Sequence, residues 1–531
     1  MTQHRSAHHR PDHHRPEPDR PELRRPELRR PELRRPGLHR RGFLAGLGAG
    51  AVTLASANQV SAFPARPRGR GAMPPDWQAL RAVLGDRLVL PGDPGYPIAR
   101  LGFNELNDGQ LPAAIAKCAC PDEVRACLDV ARGHGIPIAA RSGGHSYLGY
   151  SIPAGGLVID LRAMARVVVN PDGTAEVGAG ARLIDVYAGL AAQGRLLPAG
   201  SCPTVGVSGL TLGGGIGVLA RKYGLTCDRL AAAELVLADS GLCTASPTEE
   251  PDLHWALRGG GGGNFGIVTR FSFDTAPAPG LTVFVLGFPA TATTEVLGAW
   301  QPWVAGAPFE LWASCQVSGG TPPSCRIVGC WVGDPDEANA QLDRLVRAVG
   351  TAPATRTVAA KDYLDAMKFM AGCAKDTIAQ CHPTWEGGRL GRTGFVAVSR
   401  MLGPTPLDPA AVTELMTGRS GVDLLLDSLG GAVGEPAPDA TAFPHRDSLA
   451  SAQVYVSATP ATEQQARTTA DAVRDGLAGL GARGAYVNYI DATLPDWGRA
   501  YYGANLPRLQ AVARRYDPDG VFAFPQSVTA A

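Results

Sequence analysis

The clearest hydrophobic pattern begins at Cys120, in CPDEVRACLDVARGHGIPIAARSGGHS. Val124, Leu128 and Ala131 fall on one face at helical spacing, with Asp122 placed to cap the first turn. Gly133 and Gly135 end that helix, and the apolar IPIAAR after it reads as a buried strand. GLVIDL and AEVGAGA continue as strands, and LIDVYAGLAAQG as a helix. From about residue 276 the pattern changes. LTVFVLGFP, FELWASCQVSG, SCRIVGCWVG and GRTGFVAVSRML alternate partially, as strands with one wet face do. DEANAQLDRLVRAVG and TEQQARTTADAVRDGLAGL are helical runs among them. Strands interleaved with long helices predict an α+β domain, an antiparallel sheet with helices on one face. Near the end, a helix from Asn505 to Tyr516 places Leu506, Leu509 and Val512 on one side.

The N-terminus has no such pattern. RPELRRPELRRPELRRPG repeats Pro, Glu, Leu and Arg every five residues, and the prolines prevent a regular helix. Arg40 and Arg41 then precede Gly42, Phe43 and Leu44 and a weakly apolar run. This resembles a twin-arginine export signal, and ASA at Ala57 and VSA at Ala62 are cleavage-like sites. Residues 1–62 are therefore expected to be a disordered tail and signal, and the mature protein to be secreted by the twin-arginine route. The apolar run is too short and glycine-rich to span a bilayer.

Composition narrows the partners. The chain has 531 residues, enough for one very large or two to three ordinary domains. With 19% charged residues and a net charge of +1, there is no basic field for nucleic acid or an anionic membrane. The eleven cysteines are an odd number, which in an exported protein suggests one thiol with another use. Cys373 and Cys381 are spaced to close a short loop, as are Cys315 and Cys325 or Cys330. No cysteine pair has zinc spacing, and no metal is expected.

Three glycine-rich stretches carry the candidate chemistry. RSGGHSYLGYS follows a predicted strand and taken alone reads as a plain turn or as a phosphate-binding site. In CPTVGVSGLTLGGGIGVLARKYG, Gly215, Gly217 and Ala220 fit G-x-G-x-x-A, and Asp239 follows at dinucleotide-fold spacing. No strongly hydrophobic strand precedes those glycines, so a long phosphate-cradling loop is the better reading. The third stretch, RGGGGGNFGIVTRFSF, is flanked too closely by aromatics and a strand to be a linker.

Together with DLHWALRGGGGGNFGIVT and the terminal YDPDGVFAFPQS, these motifs resemble the berberine-bridge-enzyme-like FAD-linked oxidases. That family shares its flavin domain with vanillyl-alcohol oxidase and p-cresol methylhydroxylase. The resemblance covers roughly residues 91 to 528. It implies an α+β fold: a two-lobed FAD-binding domain over residues 107–278 and a substrate domain over 279–485 whose antiparallel sheet roofs the flavin. Residues 486–531 return to the FAD domain.

The resemblance also implies the site. FAD is attached twice, through His145 and through Cys202, which removes one cysteine from the odd count. Arg141, Ser142, Gly143, Gly144 and Ser146 wrap the pyrophosphate, with Arg141 either a phosphate partner or a structural arginine. Gly206, Ser208, Gly209, Gly213, Gly214, Gly215 and Gly217 continue that shell, and Ile267 and Val268 read the adenine. Tyr486, Asn488 and Tyr489 match the Y-x-N-Y motif, with Asn488 at the flavin and Tyr489 as base or its helper. Tyr147 and Tyr150 are further hydroxyls at the ring, and Asp491 is read as a turn residue. If AYVNY is a strand, its two tyrosines point opposite ways.

The implied reaction moves hydride from a substrate alcohol or activated C–H to the flavin, and O2 is reduced to H2O2. Val205 matches the family's small aliphatic for oxygen access, and a monomer is expected. Two other readings stay open: a flavin dehydrogenase with another acceptor, and a non-catalytic exported flavin-binding protein. The substrate ranges over sugars, oligosaccharides and secondary metabolites; Trp312, Trp331 and Trp385 suit either a sugar face or core packing.

Overall fold

A computed structural model describes residues 77–531. The expected tail and export signal over 1–62 lie outside the described residues. Four short strands form the first sheet: β1 (Leu88–Val89), β2 (Ala114–Lys117), β3 (Ile138–Arg141) and β4 (Leu157–Asp160), in the order β1-β2-β4-β3. β2 and β3 each run parallel to β4, so the chain must cross between them. The helix Pro121–His134 makes that crossover, burying Val124, Cys127, Leu128 and Ala131. Its cap differs from the expected one. Cys120 is the extended residue before the helix and Pro121, which has no N–H to leave unpaired, opens it. Asp122 lies inside the first turn with Glu123, where the helix dipole favours acids. Gly135 ends the helix at φ 62°, a conformation that favours glycine.

The second sheet is antiparallel: β5 (Val167–Val169), β6 (Thr174–Gly178), β8 (Leu230–Val236), β9 (Leu242–Ala245) and β10 (Ile267–Asp274), ordered β5-β6-β10-β8-β9. A small ribbon pairs β7 (Arg195–Leu196) with β11 (Ala276–Pro277). These two sheets form the expected two lobes, and the three glycine stretches lie in the connections between their strands.

Seven antiparallel strands form the third sheet: β12 (Leu281–Gly287), β13 (Leu311–Ser318), β14 (Ser324–Val332), β15 (Thr355–Lys361), β16 (Phe395–Leu402), β17 (Val422–Ser428) and β18 (Ala450–Ser457). Their order is β15-β12-β14-β13-β17-β18-β16. Side-chain alternation separates the faces. On β13, Ala313, Cys315 and Val317 join a core with Val296, Trp300, Leu342 and Val473 from the helices Thr293–Ala305, Pro335–Val349 and Glu463–Gly479. Trp312 and Gln316 point the other way, into a cavity. The predicted helices-on-one-face arrangement is therefore present, with the bare face turned to the site.

The chain then returns to the first two lobes. The helix Leu506–Tyr516 buries Leu509, Val512, Ala513 and Tyr516, with Leu506 at its edge. Beyond it, Val528 N donates to Asn264 Oδ1 at 2.9 Å, tying the terminal segment to the five-glycine stretch.

Candidate active site

The glycine turns and the bare sheet face enclose one cavity of about 1030 Å³. That is at the top of the usual range for small-molecule sites, about 300–1,000 Å³. Its wall carries Ser142 to Ser146, Cys202, Gly206, Gly209 and Gly261 to Asn264. Its roof carries Trp312, Gln316, Asp427, Gln453 and Tyr455, and the stretch from Tyr486 to Ile490 closes it.

Two turns cross at the wall. A Cβ on Gly143 would collide with the main-chain N of Gly206, and a Cβ on Gly206 with that of Gly143. Both positions must be glycine for the turns to meet, and their meeting brings His145 near Cys202. His145 Nε2 lies 2.9 Å from Thr204 Oγ1, and Cys202 Sγ lies 3.7 Å from the same oxygen. Phe103 stacks on the imidazole at 4.1 Å between centroids and 17° between planes. Burial, and then the Arg182 cation, pull the His145 pKa down to about 3. The ring is neutral at physiological pH, as a nucleophilic imidazole must be. Burial pushes the Cys202 thiol up, while Thr204 and Arg182 act the other way.

Several expected phosphate partners have other work. Arg141 is 1% exposed; its Nη2 donates to Asp160 Oδ2 at 2.7 Å and to Ala99 O at 2.6 Å. It is the structural arginine, clamped across β3 and β4, and does not line the cavity. Ser142 and Ser208 donate their hydroxyls to Ala179 O, and Ser146 Oγ accepts from Tyr150 N at 3.0 Å. These serines line the cavity with their hydroxyls already engaged.

Gly213, Gly214 and Gly215 stand behind the wall rather than on it. A Cβ on them would strike Asn488, Phe443 and Thr226 respectively, so their role is close packing. Gly217 does line the cavity. Gly215 and Gly217 lie between the helices Val207–Leu212 and Ala220–Tyr223, with no strand before them, which removes the dinucleotide-fold reading. On β10 it is Ile267 that lines the cavity, while Val268 is in the core. The wall instead takes Gly261, Gly262, Gly263 and Asn264, which sequence reasoning recognised as structured but assigned no site role.

The tyrosine motif also differs from expectation. AYVNY is not a strand: Val487–Tyr489 is one 3₁₀ turn, closed by Tyr489 N donating to Tyr486 O at 2.9 Å. Its two tyrosines consequently face the same cavity, with centroids 5.0 Å apart at 81°. Tyr486 OH accepts from Gly215 N at 2.9 Å, Ile216 N at 3.3 Å and Asn488 Nδ2 at 2.9 Å. Tyr486 and Asn488 thus lock the motif to the glycine loop, and Tyr489 is left to stack on Tyr147.

Tyr147 OH accepts from Gln453 Nε2 on β18. Burial first, then neighbouring groups, push both Tyr147 and Tyr489 well above the ordinary tyrosine range. Asp427, on β17, is raised by burial to about 6, and its charge is among those that raise Tyr489. This carboxyl is the main residue that sequence reasoning missed. Asp491 is structural, its Oδ2 accepting from Arg474 Nη1 at 2.6 Å. Of the three tryptophans, Trp312 lines the cavity; Trp331 donates to Glu337 at 3.1 Å and Trp385 lies under Arg392.

Among the described residues no group of acidic, histidine or cysteine side chains is placed to hold a metal ion. None of their helices is long and apolar enough to cross a membrane. A neutral imidazole, a thiol and a glycine cradle on one wall fit a flavin dinucleotide that bonds to its protein.

Fold and site together define an FAD-linked oxidoreductase. Residues 112–246 match the FAD binding domain family, and residues 485–529 match the family described as berberine and berberine like. The chitooligosaccharide oxidase of Gibberella zeae is 34% identical over 442 residues, 78% of this chain and 87% of that protein. The structure of Physcomitrella patens BBE-like 1 superposes with a TM-score of 0.80 at 29% identity, covering 86% of this chain and 99% of that one. The glucooligosaccharide oxidase of Acremonium strictum, which carries a 6-S-cysteinyl, 8α-N1-histidyl FAD, gives 0.76 at 27% identity over 85% of this chain and 99% of its own. The chain belongs to the berberine-bridge-enzyme-like family of FAD-linked oxidoreductases.

Proposed function

We propose that this protein is an exported saccharide oxidase whose FAD is bonded to both His145 and Cys202, and which reduces O2 to H2O2. The carrying observation is that one cavity is lined both by His145 and Cys202, which share the Thr204 hydroxyl behind the wall, and by Tyr489 with Asp427. A flavin bound there supplies the two-electron acceptor for hydride leaving a CH–OH carbon.

The chain's own residues supply the proton chemistry. Tyr147 and Tyr489 are both pushed up, so neither is a phenolate at neutral pH unaided. Asp427, at about 6, is an ionised carboxylate there and well matched to accept a proton. Tyr489 takes the substrate hydroxyl proton as its own passes to Asp427. The stack on Tyr147, whose hydroxyl accepts from Gln453, holds the Tyr489 ring in place. Gln316, Gln453 and Tyr455 offer polar contacts on the roof and Trp312 an aromatic face, the combination that binds sugars. Sugar-oxidising relatives support the same substrate class. Export rests on the Arg40-Arg41 pattern, and the Cys373–Cys381 disulfide suits an oxidising compartment.

The test is peroxide formation by purified protein with a panel of chito-, xylo-, cello- and malto-oligosaccharides. Saturable peroxide release with at least one is expected. Substrate-driven flavin bleaching without peroxide would assign a dehydrogenase instead.

A further inference from the structure

Thr204 is 2% exposed and stands two residues beyond Cys202. Its hydroxyl is within reach of both attachment side chains, 2.9 Å from His145 Nε2 and 3.7 Å from Cys202 Sγ. A hydroxyl has one hydrogen to give and two lone pairs to receive. Serving both neighbours, it accepts from one and donates to the other. Arg182 fixes the residue between them: its Nη1 donates to Thr204 O at 2.7 Å while Glu386 engages the rest of the guanidinium.

The imidazole is neutral, so it has one N–H and one lone pair, and the hydrogen bond decides which nitrogen has which. If Thr204 donated to Nε2, the proton would sit on Nδ1 and the only lone pair would already be occupied. With Nε2–H donating to Thr204, Nδ1 keeps a free lone pair. The threonine hydrogen then turns to the sulfur, where it favours the thiolate.

We propose that Thr204 is the positioning residue for flavin attachment: its hydroxyl accepts from His145 Nε2–H, freeing Nδ1 to bond the flavin, and donates to Cys202 Sγ. The inference rests on the proposed attachment through those two residues. The chemistry balances at each. At His145 an N–C bond forms to a ring-methyl carbon, one C–H bond breaks and the Nε2 proton is released. At Cys202 an S–C bond forms, one C–H bond breaks and the thiol proton is released. Each attachment leaves two electrons on the flavin, and dioxygen takes them with two protons as one H2O2.

The test isolates the histidine bond in a Cys202→Ala background. Flavin is measured twice in the full-length purified protein, as native bound flavin and as flavin retained on the His145 peptide after denaturation. Thr204→Val keeps the side-chain shape, and Thr204→Ser keeps the hydroxyl. With native flavin content preserved, the valine variant should retain about ten- to a hundredfold less covalent flavin, the size of loss when a histidine's outer partner is removed at a metal site. The serine variant should restore it, whereas a packing role would favour valine over serine. Thr204→Ala gives the same reading if the valine chain does not bind flavin. Equal covalent retention without the hydroxyl, or a serine variant as poor as valine, overturns the inference alone. Free flavin from Cys202→Ala with Thr204 intact overturns the histidine attachment and the inference with it.

Discussion

Tyr147 and Tyr489 stack with ring centroids 5.6 Å apart and planes only 6° from parallel. Tyr147 belongs to the turn that carries His145, and Tyr489 to the C-terminal motif. The stack therefore joins the His145 turn to the C-terminal motif, and Asp427 on the roof faces the same cavity. Tyr489→Phe keeps the ring and loses one hydroxyl. Anaerobic flavin reduction by substrate should slow by about a hundredfold to ten-thousandfold, the usual cost of losing a general base. Bound FAD and reoxidation by oxygen should not change. Near-normal reduction would remove Tyr489 from the proton path.

Asp427 predicts the pH dependence. Its carboxyl is raised by burial to about 6, so it is protonated below that pH and unable to accept a proton. The flavin reduction rate should rise as pH increases through about 6 and level off above it. Asp427→Asn should abolish that acid limb and leave reduction slow throughout. An acid limb unchanged in the asparagine variant would assign it to another group.

Arg141 should prove structural rather than phosphate-binding. Leaving a buried charge wholly unpaired costs about 3–5 kcal/mol; Asp160 keeps Arg162, so Arg141→Met should lower the unfolding midpoint by less than that loss would. Burial raises the Asp160 pKa, but Arg141 and Arg162 outweigh it and hold the carboxyl below its ordinary range. A depressed carboxylate pKa stabilises the fold above its unfolded value, and that contribution fades on acidification below about pH 4. The gap in stability between variant and wild type should narrow there. A variant as stable as wild type but poor in FAD would return Arg141 to the phosphates.

Replacing both Arg40 and Arg41 with lysine should hold the protein inside the cell. Twin-arginine transport carries folded proteins, which suits a flavin attached before export. Unchanged secretion of the double variant would remove the export claim.

The glycine turns were legible because glycine is obligatory where two backbones cross, as at Gly143 and Gly206. Glycine identity does not tell which way the backbone faces, so Gly213 to Gly215 look the same in sequence as the lining glycines. Asp427 was hidden for a different reason. VDLLLDS is an alternating strand, in which a polar residue reads as solvent-facing; only the lobes beneath the sheet turn that face into a cavity wall. Arg141 read equally as a phosphate partner or a structural arginine because its own partner, Asp160, comes from a parallel neighbour strand after a loop. Three residues of AYVNY form a turn because the Tyr486 hydroxyl is held by Gly215 and Ile216, a tertiary restraint that no local period records.

The most direct measurement is made on wild-type protein, precipitated in acid, digested and mapped by mass spectrometry. A yellow precipitate is expected, with one FAD joining the peptides that contain His145 and Cys202. Free FAD in the supernatant, with both peptides at their unmodified masses, would contradict it.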